Sequence, residues 1–206
     1  MDLNETIRGR RSIRRYTTET VPMKLIHEVL EAATWAPSAK NGQQWRFTVL
    51  TGDSKKKLTD LFRSELQELS AKIGKQQMGS SLSSCSIMEQ APVLIIVWNA
   101  GGAAVQRAVH AVETAPLDDV RNRARVFGHK VELQSVAAAI QNLLLKAHSL
   151  GLGSLWICDV YYATDALTTH LGKSWELVAA VTLGWPAAAP NPPPKLNVDE
   201  VTEFLN

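Results

Sequence analysis

The sequence predicts a mixed fold of helices and strands in one domain spanning residues 1–206, and three observations predict it. The chain is 206 residues long, 45% hydrophobic and 20% charged, enough to bury a single core. Apolar residues recur at helical spacing around 25–33, 55–73 and 133–150. Between and after these stretches stand four short runs of strand character, at 45–50, 92–98, 155–158 and 178–183.

In chain order, residues 17–20 are polar and Pro22 suits the first turn of a helix. Leu25, Ile26, Val29, Leu30 and Ala33 then line one helical face. That helix ends near Trp35-Ala36-Pro37, because the residue before a proline is pushed out of the α region, and small and amide residues form a loop through Gln44. In the strand at 45–50, Trp45, Phe47 and Val49 share a face. Residues 74–86 are polar and serine-rich with no periodic apolar face, and they read as a mobile excursion or lid. The Val- and Ile-rich run at 92–98 suits a buried strand. In 133–150, Leu133, Val136, Ala137, Ile140, Leu144, Ala147 and Leu150 form one stripe, which Ala138, Ala139 and Leu143 extend around most of the cylinder. A helix that apolar is expected at the centre of the fold or in a subunit interface, with Gly151 as its stop. Prolines at 186, 190, 192, 193 and 194 make 186–206 an extended tail.

Composition excludes several classes. The longest apolar stretch, from Ala91 to Trp98, is far short of the roughly 18 residues a membrane span requires. The N-terminus carries charge where a signal peptide would be apolar, so the expected location is cytoplasmic. Cys85 and Cys158 form no C-x-x-C pair, which suggests neither a disulfide framework nor structural zinc. A net charge of +2, from 22 basic and 20 acidic side chains, is too balanced for general nucleic-acid binding. Neither nucleic acid nor membrane is an expected partner. Familiar catalytic signatures also fail. Gly172-Lys173-Ser174 resembles the end of a phosphate-binding loop, but Leu167 stands where its opening glycine belongs. Gly151-Leu152-Gly153 follows a helix rather than a strand and lacks the third glycine of a dinucleotide fingerprint. His27-Glu28 opens like a zinc-protease motif, but Glu31 takes the place of its second histidine. No G-x-S-x-G is present, and His110, His129, His148 and His170 are scattered.

The charge is unevenly placed. Arg8, Arg10, Arg11, Arg14 and Arg15 put five guanidinium groups within eight positions, uninterrupted by an acid. Gly9-Arg10-Arg11-Ser12-Ile13-Arg14-Arg15-Tyr16 suits bidentate capture of a phosphate, although a solvated basic face or nucleic-acid arm would have the same composition. A strong anion site without an obvious nucleophile, base or metal points to a cofactor that brings its own reactivity. The segment resembles the N-terminal signature of the FMN-dependent nitroreductase family, in which an R-R-S-x-R stretch holds the flavin phosphate, ribityl chain and pyrimidine edge. The resemblance continues in order. Ala36-Pro37-Ser38-Ala39-Lys40-Asn41-Gly42-Gln43-Gln44-Trp45-Arg46-Phe47 looks like the family's A-P-S-x-x-N-x-Q-P-W-x-F loop and strand, with Gln44 replacing the usual proline. Ala138-Ala139-Ile140-Gln141-Asn142-Leu143-Leu144-Leu145, then Leu150-Gly151-Leu152-Gly153, resembles its central helix and exit. Leu183-Gly184-Trp185-Pro186, with Lys195 before Val198-Asp199-Glu200-Val201, resembles its closing strand and basic tail.

The resemblance implies an α+β fold, a mostly antiparallel central sheet flanked by helices, in an intertwined homodimer with two flavins at the interface and the proline-rich tail crossing to the partner. It implies that Arg10, Arg11, Ser12 and Arg14 bind FMN, with Lys195 at the phosphate. Pro37, Ser38, Ala39 and Asn41 would approach the same flavin from the other subunit. Trp156, Ile157, Cys158 and Asp159 would lay backbone beside the isoalloxazine, one amide pointing at N5; Cys158 takes a backbone role there, and no side chain is assigned a catalytic one. A further departure is Ser83-Ser84-Cys85-Ser86, where many members carry Asn and Lys contacts to the pyrimidine. The stretches 74–86 and 101–130 match no substrate-defining pattern. The implied activity is ping-pong transfer of a hydride from NADH or NADPH through flavin N5 to a nitroaromatic, quinone or similar small-molecule acceptor. Reductive dehalogenation, oxygen-dependent flavin fragmentation and a non-catalytic flavin-binding redox module are the alternatives. Ser12 argues against the fragmenting branch, which carries Asp at that place.

Overall fold

Two apolar faces of one sheet organise the molecule. The structure, a computed structural model, describes residues 1–113 and 118–205. Its strands β1 (Trp45–Leu50), β2 (Val93–Asn99), β3 (Gly153–Ile157) and β4 (Glu176–Gly184) pair antiparallel in the order β1-β2-β4-β3. The helices are α1 (Leu3–Gly9), α2 (Met23–Thr34), α3 (Gly52–Ile73), α4 (Ser81–Gln90), α5 (Ala103–Glu113), α6 (Asp118–Ser149), α7 (Thr164–His170) and α8 (Val198–Val201). Among the described residues no helix is long and apolar enough to cross a membrane.

The period of two in β2 sends Val93, Ile95 and Val97 to one side, into a core with Ile26, Val29 and Ala33 of α2 and Val136, Ala139, Ile140, Leu143 and Ala147 of α6. Leu94, Ile96 and Trp98 go to the other side, against Leu58, Phe62 and Leu66 of α3, Met88 of α4 and Leu167 of α7. Every residue of β2 is buried, as its unbroken Val/Ile run requires. The Trp98 indole Nε1 keeps its bond by donating to Thr48 Oγ1 at 2.9 Å. Between β2 and β4 the register slips by one residue after Val97, so that Val178 is extra on β4. The bulge explains why Val178 and Ala179, neighbours in sequence, both enter the α6-side core.

The expected strands at 45–50, 92–98, 155–158 and 178–183 match β1 to β4 within a residue or two at their ends. Two expectations need correction. The helix expected from 133 begins at Asp118; its first turns, up to Lys130, are mostly exposed, and their apolar residues Val120, Ala124 and Phe127 are interleaved with charged ones. Within one chain it buries Val136, Ala139, Ile140, Leu143, Leu144 and Ala147, while Ala137, Ala138 and Leu145 are only half-buried. The segment 74–86 is not an irregular excursion. It forms a 3₁₀ turn over Lys75–Met78 and the start of α4, with Met78, Ser81, Ser84 and Cys85 buried. Its helical face is hidden because two inward positions are serines. Ser81 Oγ donates to Asp159 Oδ1 at 3.1 Å, and Ser84 Oγ donates to Asp159 Oδ2.

The arginine segment is stitched to the sheet. Ile13 N–H donates to Ser154 O at 3.0 Å, Thr17 N–H to Trp185 O at 2.9 Å, and Ala187 N–H to Arg15 O at 3.0 Å. Buried Tyr16 anchors it, its hydroxyl 2.7 Å from Thr182 Oγ1 and donating to Ile13 O at 3.0 Å. Burial holds this phenol far above the ordinary tyrosine value of 10.0. Above pH 10 the unfolded chain therefore loses a proton that the folded chain keeps. Stability falls as pH rises there, by up to roughly 1.4 kcal/mol per pH unit from this group. Urea unfolding between pH 8 and 11 should show this loss in the wild type and a shallower one in Tyr16→Phe. Equal slopes for the two proteins would remove Tyr16 from the account.

Candidate active site

The arginine cluster begins where α1 stops. Arg10 caps the helix with its N–H on Thr6 O at 3.1 Å, and the chain turns along the sheet edge. Gly9 lies flat against His148 of α6; a Cβ there would sit 2.6 Å from the imidazole Nε2. Partial burial, and then the charges of Arg10 and Arg11, hold His148 below the ordinary histidine value. Arg11 turns inward, its Nη1 donating to Arg8 O at 2.6 Å and Arg10 O at 2.8 Å, while Arg14 Nη1 donates to Ser12 O at 3.3 Å. None of Arg8, Arg10, Arg11, Arg14 and Arg15 is ion-paired with a carboxylate among the described residues. Two hollows adjoin them. One of about 160 Å³ is lined by Arg10, Arg11, His148 and Ser154, and one of about 200 Å³ by Ser12, Arg14, Arg15 and Pro190. The Ser154 hydroxyl, at the first hollow, is buried without a hydrogen-bond partner. Uncompensated guanidinium groups and an unused hydroxyl fit a phosphate-bearing ligand.

Beside the cluster, β3 is an edge strand. Ile13 reaches Ser154 O from its open side, so the pleat turns the backbone N–H and C=O of Trp156 to that side as well, with no strand beside them. Such an edge can donate a backbone hydrogen bond to a flat polar ring. Ile157 points into the core. Partial burial and the neighbouring Asp159 charge raise the Cys158 thiol, which argues against a nucleophilic role. The Asp159 carboxylate is already taken by Ser81 and Ser84. Ser86 Oγ donates to Leu82 O at 3.4 Å, and Cys85 is fully buried, its thiol pushed up to about 11 by burial. Ser84, Cys85 and Ser86 are therefore engaged in holding α4 in place, while Ser83 is exposed.

The loop before β1 is strained. Lys40, Asn41 and Gln43 all have left-handed backbone, with φ of 53°, 52° and 44°. For non-glycine residues this costs roughly 1–2 kcal/mol each, and such strain persists only where surroundings enforce it. Here α6 enforces it. Ala39 N–H donates to Ser135 Oγ at 3.2 Å, and the Gln44 amide Nε2 donates to Glu132 O at 3.0 Å, one helical turn away. Inside the loop, Gln43 N–H donates to Ser38 Oγ at 3.1 Å. The Glu132 carboxylate is itself buried, accepting from Gly102 N–H at 2.7 Å and from Asn99 Nδ2 at 3.2 Å.

These pieces do not meet within one chain. The loop grips α6 at Ser135 and the arginine cluster meets it at His148, 13 positions further on. At about 1.5 Å per residue, that separation is roughly 20 Å. Lys195 lies in the exposed tail and lines neither hollow. Sequence reasoning grouped His148 with the scattered histidines and left Ser154, Glu132 and Ser135 unremarked; only Gln44 stood out, as the residue in a proline's place.

The sequence profile of the Nitroreductase family matches residues 7–185, most of the chain. The chain belongs to the Nitroreductase family. A nitroreductase-family relative from Methanothermobacter thermautotrophicus that carries the name NADH dehydrogenase/NAD(P)H nitroreductase is 31% identical over 195 residues, covering 92% of this chain and 80% of its own. The crystal structure of a BluB-like flavoprotein from Clostridium difficile 630 superposes with a TM-score of 0.79 at 27% identity, over 100% of both chains. A nitroreductase in complex with FMN from Desulfovibrio desulfuricans superposes with a TM-score of 0.70 at 26% identity, over 100% of this chain and 98% of that one. The antiparallel sheet flanked by helices is thus the nitroreductase fold, and the α+β expectation holds. An oxidoreductase of this family is the activity class that follows.

Proposed function

We propose that this nitroreductase-family chain is an FMN-dependent oxidoreductase, a homodimer that passes reducing equivalents from NADH or NADPH to a nitroaromatic, quinone or similar small acceptor. The observation that carries the reading is the arginine cluster without counter-charge among the described residues, beside an open strand edge. The FMN in one relative and the NAD(P)H in another's name support it. When bound, FMN supplies the redox chemistry. The chain's part is to hold and orient. Arg10, Arg14 and Ser12 would bind the phosphate and ribityl chain, Arg11 braces the segment through the Arg8 and Arg10 carbonyls, and Lys195 of the tail would add its charge at the phosphate. The Trp156–Asp159 backbone lies beside the ring, and its donors favour negative charge developing there. Pro37, Ser38, Ala39 and Asn41 come from a second copy in this reading, which the attachment of loop and cluster to α6 roughly 20 Å apart accommodates.

Acid release from the purified yellow protein should yield FMN, and anaerobic NAD(P)H should bleach it. Recovery of FAD, or a colourless protein that ignores added FMN, would sink the assignment. We expect one binding site that donor and acceptor would occupy in turn. Double-reciprocal plots against NAD(P)H at several acceptor concentrations should therefore be parallel; intersecting lines would mean that both bind together.

A further inference from the structure

Gln44 is an uneconomical residue for a core. It is 1% exposed, its Oε1 is buried with no hydrogen-bond partner, and only its Nε2 is used, on Glu132 O. A leucine would fill the same place without an unsatisfied acceptor. A proline, the usual residue at this place, would require no backbone bond to be given up, since no bond from Gln44 N–H is among those formed by the loop. It would, however, drive the preceding residue to extended backbone, and Gln43 here has φ 44°. The left-handed run at Lys40, Asn41 and Gln43 is thus a conformation that proline at 44 disfavours and that the Gln44 amide, with Ser135, ties to α6. The side-chain carbonyl of Gln44 also stands 3.1 Å from where a Gly42 Cβ would be, so loop and amide are packed as one unit.

We infer that Gln44 is a positioning residue: together with Ser135 it locks the loop 38–43 onto α6 in the left-handed form in which Ser38 and Asn41 meet the flavin of the partner subunit. The inference rests on the FMN reading above. A stability role and a positioning role make opposite demands on the same substitution. If Gln44 served packing, removing its amide would lower the melting temperature. If it serves the loop, the fold keeps its stability and the loop loses its shape.

The test compares wild type, Gln44→Leu, Gln44→Pro and Ser135→Ala as full-length proteins. Amide hydrogen exchange on the apoproteins reads the loop directly, and quenching of FMN fluorescence reads affinity. For Gln44→Leu, exchange at Ala39 and Gly42 should quicken at least about tenfold and the Kd for FMN should rise about tenfold, with an unchanged or higher melting temperature. Gln44→Pro should change the visible circular dichroism of bound FMN, and Ser135→Ala should raise Kd about threefold. Wild-type exchange and wild-type Kd in Gln44→Leu would overturn the inference, as would losses of affinity that merely track a falling melting temperature. If Gln44→Leu does not fold, the amide is a core requirement and the inference fails unless Ser135→Ala shows the exchange and Kd changes with its fold intact. A wild type that binds no FMN would instead overturn the functional reading, while exchange at Ala39 and Gly42 still decides whether Gln44 locks the loop.

Discussion

Arg14→Ala is expected to weaken FMN binding by about one to two decades. Arg14 is exposed, its one side-chain bond reaches Ser12 O at 3.3 Å, and no carboxylate competes for it among the described residues. Its guanidinium is therefore available to a phosphate at little cost in broken bonds. Charge-assisted hydrogen bonds contribute roughly 1.5–3 kcal/mol, and each 1.4 kcal/mol is about tenfold in affinity. Fluorescence titration of the apoprotein measures it. Wild-type affinity in the variant would reduce Arg14 to surface decoration. Arg11→Ala provides a contrast, since its Nη1 is committed to the Arg8 and Arg10 carbonyls and its loss would loosen the segment itself.

Gly153→Val should damage both the fold and the site. A Cβ at Gly153 would fall 2.8 Å from Ile13 Cγ1 and Cγ2 and 2.9 Å from Ile13 Cβ. Contacts to atoms so near the backbone cannot be relieved by a rotamer change alone, so the segment carrying Ser12 and Arg14 must lift from β3. Overpacking of this kind costs roughly 1–3 kcal/mol. Because the bond from Ile13 N–H to Ser154 O holds the arginines beside the open edge, FMN affinity should fall more than tenfold, a loss of about 1.4 kcal/mol or more. Urea unfolding and flavin titration on the same preparation separate the two effects. A variant with normal Kd would show that the cluster does not depend on its seat on β3.

What could be read in advance followed from periodicity. Leu25 to Ala33 and Val93 to Trp98 repeat with the spacing of the surfaces they cover, so α2 and β2 were legible. The turns of α6 before Glu132 were not: Val120, Ala124, Phe127 and Val131 do recur at helical spacing there, but Asp118, Arg121, Arg123, Arg125 and Lys130 are interleaved with them and the stretch is mostly exposed. The start of α4 was misread because Ser81 and Ser84 face inward to a carboxylate 75 or more positions away, a partner that no local pattern announces. The ordered family motifs pointed to the arginines and to the loop. Its left-handed backbone stayed hidden, since Lys40, Asn41 and Gln43 carry no glycine to signal it. That the cluster pairs with no carboxylate among the described residues is likewise a long-range fact: it depends on which acids the fold keeps away.

The separation of loop and cluster along α6 bears on heredity as well as chemistry. If every flavin site draws its arginines from one chain and its loop from another, a defect belongs to a pairing of chains rather than to a gene product. A copy damaged at Arg14 and a copy damaged at Gln44 are each impaired in the company of their own kind. Joined in one mixed dimer, they assemble one site that inherits both lesions and one that inherits neither. Two mutant alleles in the same cell would then rescue each other in part, without recombination and without either chain being repaired.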